Sequence, residues 1–250
     1  MCAMDRSDPL YNTIGGGYSR LRKTEPRIAA RIWAALGDAE TVLNIGAGTG
    51  SYEPPARDVT AVEPSEVMRQ QRPAGAAPVI AAFAEALPFP DQSFDAAMAV
   101  LSDHHWSDPL AGLREMRRVA RRTVVFQWDS ERVPDFWLVR DYLPEFASFC
   151  FAGPSIQARA DVLGARAEPV PIPWDCTDGF FHAYWRRPSA YLEAPVRRAA
   201  SPWALVGPRV EERAVRQLAH DLASGSWQAR NAALLELEEA DLGARLLVAG

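Results

Sequence analysis

The chain has 250 residues, 48% of them hydrophobic and 24% charged, the balance of a globular protein with a buried core rather than of a disordered or fibrous chain. A net charge of −5 argues against a nucleic-acid partner, and no window approaches the ~18 uninterrupted apolar residues of a membrane helix. Cys2, Cys150 and Cys176 form no CxxC pair and no metal-ligand spacing, and Met1 to Arg6 lacks the apolar core of a signal peptide, so a reduced cytoplasmic protein without a metal is expected.

Residues 1–25 are polar and Gly-rich. Pro26 then opens a helical pattern from Arg27 to Leu36, with Ile28, Ile32, Ala35 and Leu36 on one side and Gly37 as a stop. Thr41 to Ile45 is a short apolar run entering a glycine loop, which predicts a buried strand. Asp58 to Val62 repeats that pattern, Ser65 to Arg72 reads as a short helix, and Val79 to Phe83 is a third strand. Phe94 to Leu101 is nearly continuously apolar, as strands covered on both faces are. Asp108 to Ala120 has helical spacing, and Thr123 to Trp128 is a fifth strand. This alternation implies βαβ units, and hence an α/β, doubly wound, mostly parallel sheet.

After Asp129 the rhythm changes. Phe136 to Phe151 reads as an aromatic helix broken or kinked at Pro144, and Glu168 to Trp174 carries three prolines that limit any strand there to an edge. Asp178 to Glu239 is helical, and Ala244 to Ala249 reads as a last strand, with one long helix over Leu234 to Leu247, broken at Gly243, as the alternative. The expected organisation is a cofactor-binding core over residues 1–130, followed by an aromatic-rich helical lid over residues 131–250 that also holds the final strands.

The chemistry begins where the first strand ends, in Gly46-x-Gly48-x-Gly50. Glycines let the backbone turn sharply and approach a ligand closely. Glu63 follows Gly46 by 17 residues, at the end of the next strand, where a carboxylate can accept both hydroxyls of a ribose. Dinucleotide folds use GxGxxG with a pyrophosphate on the helix N-terminus; here the third glycine comes one residue early, which argues for a ligand without phosphates.

Together, Val42 to Gly50, Val62-Glu63-Pro64-Ser65, Ala84 to Phe89, Ser93-Phe94-Asp95 and His104-His105-Trp106 with Leu113 to Met116 resemble the successive motifs of class I S-adenosylmethionine (SAM)-dependent methyltransferases, small-molecule type, similar to the ubiquinone/menaquinone-biosynthesis group. The resemblance spans about residues 10 to 130 and implies SAM as cofactor. It assigns Asn44, Gly46, Gly48 and Gly50 to the methionine and ribose portion and Glu63 to the ribose hydroxyls. Pro64, Ser65, Met68, Phe83 and Ala84 would flank the adenine, Leu101 would lie beneath the sulfonium, and Tyr11 and Tyr18 would close over the cofactor. Two positions depart from the family: an acid is common where Asn44 stands, and an aspartate where Phe83 stands. These departures leave a non-methyl reaction or non-catalytic SAM binding as the alternative.

Methyl transfer to oxygen or nitrogen requires positioning and loss of a proton. His104 and His105 follow the fourth strand, at the carboxyl end of the sheet, and the resemblance makes them candidate bases with Asp129, after the fifth strand, as an assisting acid. The clustered aromatics of the C-terminal half suggest an apolar substrate pocket, so the expected substrate is a small aromatic or apolar metabolite, with oxygen ahead of nitrogen or carbon as acceptor. The expected partner is that small molecule alone, with no nucleic acid and no membrane, acting on a monomer or homodimer.

Overall fold

A computed structural model describes residues 21–150 and 153–250. Its main sheet is built from β1 (Thr41–Ile45), β2 (Asp58–Val62), β3 (Val79–Ile80), β4 (Phe94–Val100), β5 (Ala120–Trp128), β6 (Arg166–Pro169) and β9 (Ala244–Ala249). Their order is β3-β2-β1-β4-β5-β9-β6. The first five run parallel, whereas β9 enters antiparallel between β5 and β6. The two intervening strands, β7 (Ile172–Pro173) and β8 (Glu239–Ala240), pair with each other outside this sheet.

Alternation along each strand feeds two separate cores. Val42 of β1, Ala96 and Met98 of β4 and Val124 and Phe126 of β5 point to one face. There they meet Ile28, Ala29 and Ile32 of helix α1 (Pro26–Ala35). Leu43, Ile45, Ala97, Ala99 and Val125 point to the other, against Leu113, Met116 and Val119 of α3 (Pro109–Val119). Each buried Val, Leu, Ile, Met or Phe among these stabilises the fold by about 1.5–3 kcal/mol. Local chemistry sets the helix starts. Pro26 and Pro109 occupy first-turn positions that have no N–H to lose, and the Asp108 carboxylate accepts the Ala111 N–H at 3.0 Å. A short α2 (Glu66–Gln70) follows β2.

The strands expected at Thr41–Ile45, Asp58–Val62 and Ala244–Ala249 have those bounds. The third is shorter than expected: it ends at Ile80, because the chain then turns and Phe83 leaves the sheet half-exposed. β5 starts three residues early, directly from α3. The aromatic helix divides at Pro144 into α4 (Trp137–Tyr142), a 3-10 turn and one further helical turn. Proline-rich 166–173 makes β6 the edge of the sheet and then departs, as a chain poor in N–H donors must.

Residues 170–243, between β6 and β9, form the bulk of the C-terminal helical lid. Helix α5 (Ile156–Leu163), by contrast, packs on the sheet beside α3. The aromatic interior of the lid is continuous with the core that α1 covers. The Trp137 indole donates to the Trp185 carbonyl at 2.8 Å, its ring lies edge-on to Trp227 at 5.1 Å, and the Tyr191 hydroxyl donates to Phe181 O at 2.6 Å. Edge-on aromatic pairs add about 0.5–1.5 kcal/mol each beyond their burial. No helix of the described residues is long and apolar enough to cross a membrane.

Candidate active site

β1 ends in Ile45 and the chain turns at once through Gly46 (φ 68°) and Gly48 (φ 52°). At Gly46 a side chain has no room: a Cβ would lie 2.6 Å from the Cβ of Ser102. Ser102 belongs to the next rim loop, and its hydroxyl donates to the Ile45 carbonyl at 2.9 Å, binding the two loops together. Leu101 holds φ 50°, uncommon for a branched residue, with its N–H kept on the Phe126 carbonyl at 2.8 Å. The strained turn directs Asp103, His104 and His105 across the carboxyl ends of β1, β4 and β5.

Glu63, buried at the end of β2, accepts Gly48 N–H and Ser65 N–H, one on each oxygen, both at 2.8 Å. Burial raises its pKa; those two bonds and the charges of Arg69 and Arg72 act against that rise. Each oxygen retains a further lone pair, so the carboxylate can still accept two hydroxyls. Asn44, also buried, donates its amide N–H to Glu53 at 3.2 Å, and Glu53 is paired with Arg72 at 2.7 Å. With its nitrogen so engaged, the carbonyl oxygen of Asn44 is the acceptor left for a ligand ammonium.

A cavity of about 790 Å³ joins these elements. Asn44, Gly46, Gly48, Glu63, Pro64, Met68, Phe83, Ala84, Leu101, His104 and His105 all line it. Three expected residues do not. Gly50 turns toward the Glu53–Arg72 pair, Ser65 is buried with its hydroxyl capping Met68 N–H, and the Asp129 carboxylate accepts the Glu131 N–H at 3.1 Å. Asp129, expected as an assisting acid, has its carboxylate in a local turn and does not line the cavity. Tyr11 and Tyr18 lie outside the described residues.

The far wall is aromatic. Trp128, Phe146, Phe149, Phe180 and Phe181 line it, and so does His182. His182 is 2% exposed, with its ring centroid 4.0 Å from that of Trp128 and 4.6 Å from that of Phe136; neither nitrogen has a hydrogen-bond partner among the described residues. Burial lowers its pKa to about 3. Asp178, four residues earlier, does not reach the cavity: it is held by Arg22 at 2.6 Å and by the Tyr52 hydroxyl at 2.9 Å.

Behind the histidine pair lies a polar chain. Asp103, fully buried, accepts Arg159 Nε at 2.5 Å on one oxygen and the Gln127 amide on the other. The same amide nitrogen lies 2.9 Å from Nδ1 of His104. His104 is exposed at the cavity, with its ring set among protein atoms. That desolvation, then the charges of Arg159 and Arg22, lowers its pKa below the ordinary value; desolvation and the neighbouring His104, with ring centroids 3.8 Å apart, also lower that of His105 well below its ordinary value. Asp103 is more than a turn residue. The one sequence signal for this chain was Gln127, a polar side chain closing an apolar strand; nothing announced Arg159, 56 residues from Asp103.

A methyltransferase-domain family profile matches residues 43–126. A putative methyltransferase from an antibiotic biosynthesis pathway of Anabaena variabilis is 31% identical, with a TM-score of 0.86 over 92% of this chain and 99% of that one. The YcgJ protein of Bacillus subtilis shares the fold at 19% identity, TM-score 0.51, over 89% of this chain and 96% of that one. An uncharacterised protein of Methanocaldococcus jannaschii is 28% identical over 138 residues, 53% of this chain; the chain spans 55% of that relative's length.

Proposed function

Because the chain belongs to the class I SAM-dependent methyltransferases, we propose that it methylates an oxygen of a small, planar aromatic or apolar metabolite. The observation that carries this reading is the continuous cavity, which runs from Glu63 and the glycine loop to the wall of Trp128, Phe180 and Phe181.

The residues present fit SAM. Glu63 offers two acceptor oxygens to the ribose, Asn44 a carbonyl to the amino group, and the exposed ring of Phe83 a stacking face to the adenine. The cofactor, when bound, supplies an electrophilic methyl group on a sulfonium. The protein supplies position. Leu101 and the 102–105 turn form the floor between the two halves of the cavity, and the aromatic wall orients a flat acceptor and displaces water. Aromatic faces also favour a neighbouring cation.

The antibiotic-pathway description of the Anabaena protein supports a small-molecule acceptor, of which a quinone-precursor phenol, the type suggested by the sequence motifs, is one member. Calorimetry with SAM and S-adenosylhomocysteine tests the first half of the reading, and absence of binding to both would overturn it. Mass spectrometry of phenolic metabolite pools incubated with SAM tests the second. A one-methyl mass increase on oxygen is expected; an increase only on nitrogen or carbon would sink the choice of atom.

A further inference from the structure

His104 is the histidine whose hydrogen-bond surroundings fix its chemistry. Gln127 presents one end of its amide to Asp103 and His104 and the other to a backbone N–H. Its oxygen accepts the Trp128 N–H at 2.7 Å, and its nitrogen faces the Asp103 carboxylate, which Arg159 holds as an ion pair. Turning the amide over would set oxygen against carboxylate and N–H against N–H, so the orientation is determined by its neighbours. The nitrogen 2.9 Å from His104 Nδ1 is consequently a donor, and Nδ1 must accept. A neutral imidazole with Nδ1 as acceptor carries its proton on Nε2. Protonating Nδ1 would place two N–H groups face to face, beside the positive charges of Arg159 and Arg22 and next to the ring of His105.

We infer that the Arg159–Asp103–Gln127 chain locks His104 as the Nε2–H tautomer, so that it donates a hydrogen bond to the substrate oxygen and does not serve as the base. Gln127, Asp103 and Arg159 are then positioning residues, and the substrate class narrows. The acceptor molecule carries an oxygen able to take a hydrogen bond, such as a phenolate or a phenol with an adjacent carbonyl, and an ionisable phenol has lost its proton to solvent before its oxygen meets the Nε2–H. The substrate half of this statement rests on the proposed methylation of an aromatic oxygen; the tautomer does not.

The decisive measurement is long-range proton–nitrogen NMR of the full chain labelled with ¹⁵N-histidine, with His104 assigned by His104→Gln. The expected result is an Nε2–H tautomer for the neutral ring, with a midpoint below the ordinary histidine value. In Gln127→Leu, with the donor gone, both tautomers are expected. An Nδ1–H tautomer in the unaltered protein, or a midpoint near 6.5, overturns the proposal, and this arm decides even where Gln127→Leu does not fold.

A second arm uses 4-nitrophenolate as probe, followed by absorbance in protein saturated with S-adenosylhomocysteine. His104→Ala should weaken its binding roughly tenfold or more, the worth of a hydrogen bond to a charged group, whereas His104→Gln, whose amide N–H replaces Nε2–H, should stay within about threefold. Equal losses in both variants overturn the donor role. No binding of the probe by the unaltered protein, with the NMR result standing, would instead overturn the aromatic-oxygen reading.

Discussion

Glu63 accepts the Gly48 N–H at 2.8 Å, so the acid that ends β2 is tied to the middle of the glycine loop that ends β1. The same carboxylate holds the Ser65 N–H and so also fixes the start of α2. Removing it takes away the proposed acceptor of the ribose hydroxyls and loosens both loops at once. Glu63→Ala should weaken binding of S-adenosylhomocysteine by roughly ten- to a hundredfold in calorimetry, since hydrogen bonds to a charged group are worth about 1.5–3 kcal/mol. His105→Ala should weaken it less. The reverse order would mean that the ribose site lies elsewhere in the cavity.

Gly46 combines a left-handed backbone with an occupied side-chain position, its notional Cβ 2.6 Å from that of Ser102. Gly46→Ala must adopt a strained φ and push the Ser102 loop away from Ile45. The backbone alone accounts for about 1–2 kcal/mol and the displacement adds to it. The expected outcome is a melting temperature lower by about 4–8 °C together with weaker cofactor binding. A variant with unchanged melting and binding would show that the two rim loops move apart freely.

The legible parts of this molecule were those written in neighbouring residues. Thr41–Ile45 and Asp58–Val62 are apolar runs stopped by loop residues, so their bounds could be read directly, and Gly46, Gly48 and Glu63, singled out by their spacing, line one cavity. Val79–Phe83 misled because Ala81 to Phe83 is as apolar as a strand, yet Ala82 and Phe83 line the cavity, a use that local pattern cannot distinguish from sheet. Asp129 was placed by analogy with the rim of the sheet, but a carboxylate two residues from a free backbone N–H finds the shorter-range partner in Glu131. The ion pairs Arg159–Asp103 and Arg22–Asp178 join residues 56 and 156 apart, and only the folded topology brings them together.

The Arg22–Asp178 pair shares its carboxylate with the Tyr52 hydroxyl, and Asp178 is fully buried. Burial, reinforced by the Asp178 charge, raises the Tyr52 pKa, so the phenol remains a donor at every physiological pH. Asp178→Ala leaves the guanidinium and the hydroxyl without this acceptor, a loss of about 3–5 kcal/mol, which corresponds to a fall in melting temperature of roughly 10 °C. The double change Arg22→Met with Asp178→Leu should recover much of that fall, because it removes the uncompensated charge. Equal melting of the single and double variants would show that the loss is one of packing.

His182 lies among Trp128, Phe136 and Phe181 without a hydrogen-bond partner among the described residues, and its pKa is lowered by burial to about 3. A histidine whose native pKa lies below its unfolded value of about 6.5 stabilises the fold above that value, and the stabilisation drains as pH falls toward 3. Between pH 7 and pH 5 this single group should withdraw about 2 kcal/mol of unfolding free energy. His182→Phe keeps a flat apolar ring in the cage and removes the titration. Denaturant unfolding at the two pH values should therefore show stability at pH 7 within about 1 kcal/mol of the unaltered protein, and a pH 7-to-5 loss smaller by about 2 kcal/mol. An unchanged loss would mean that His182 finds a proton acceptor in solution, and that the aromatic cage opens to admit one.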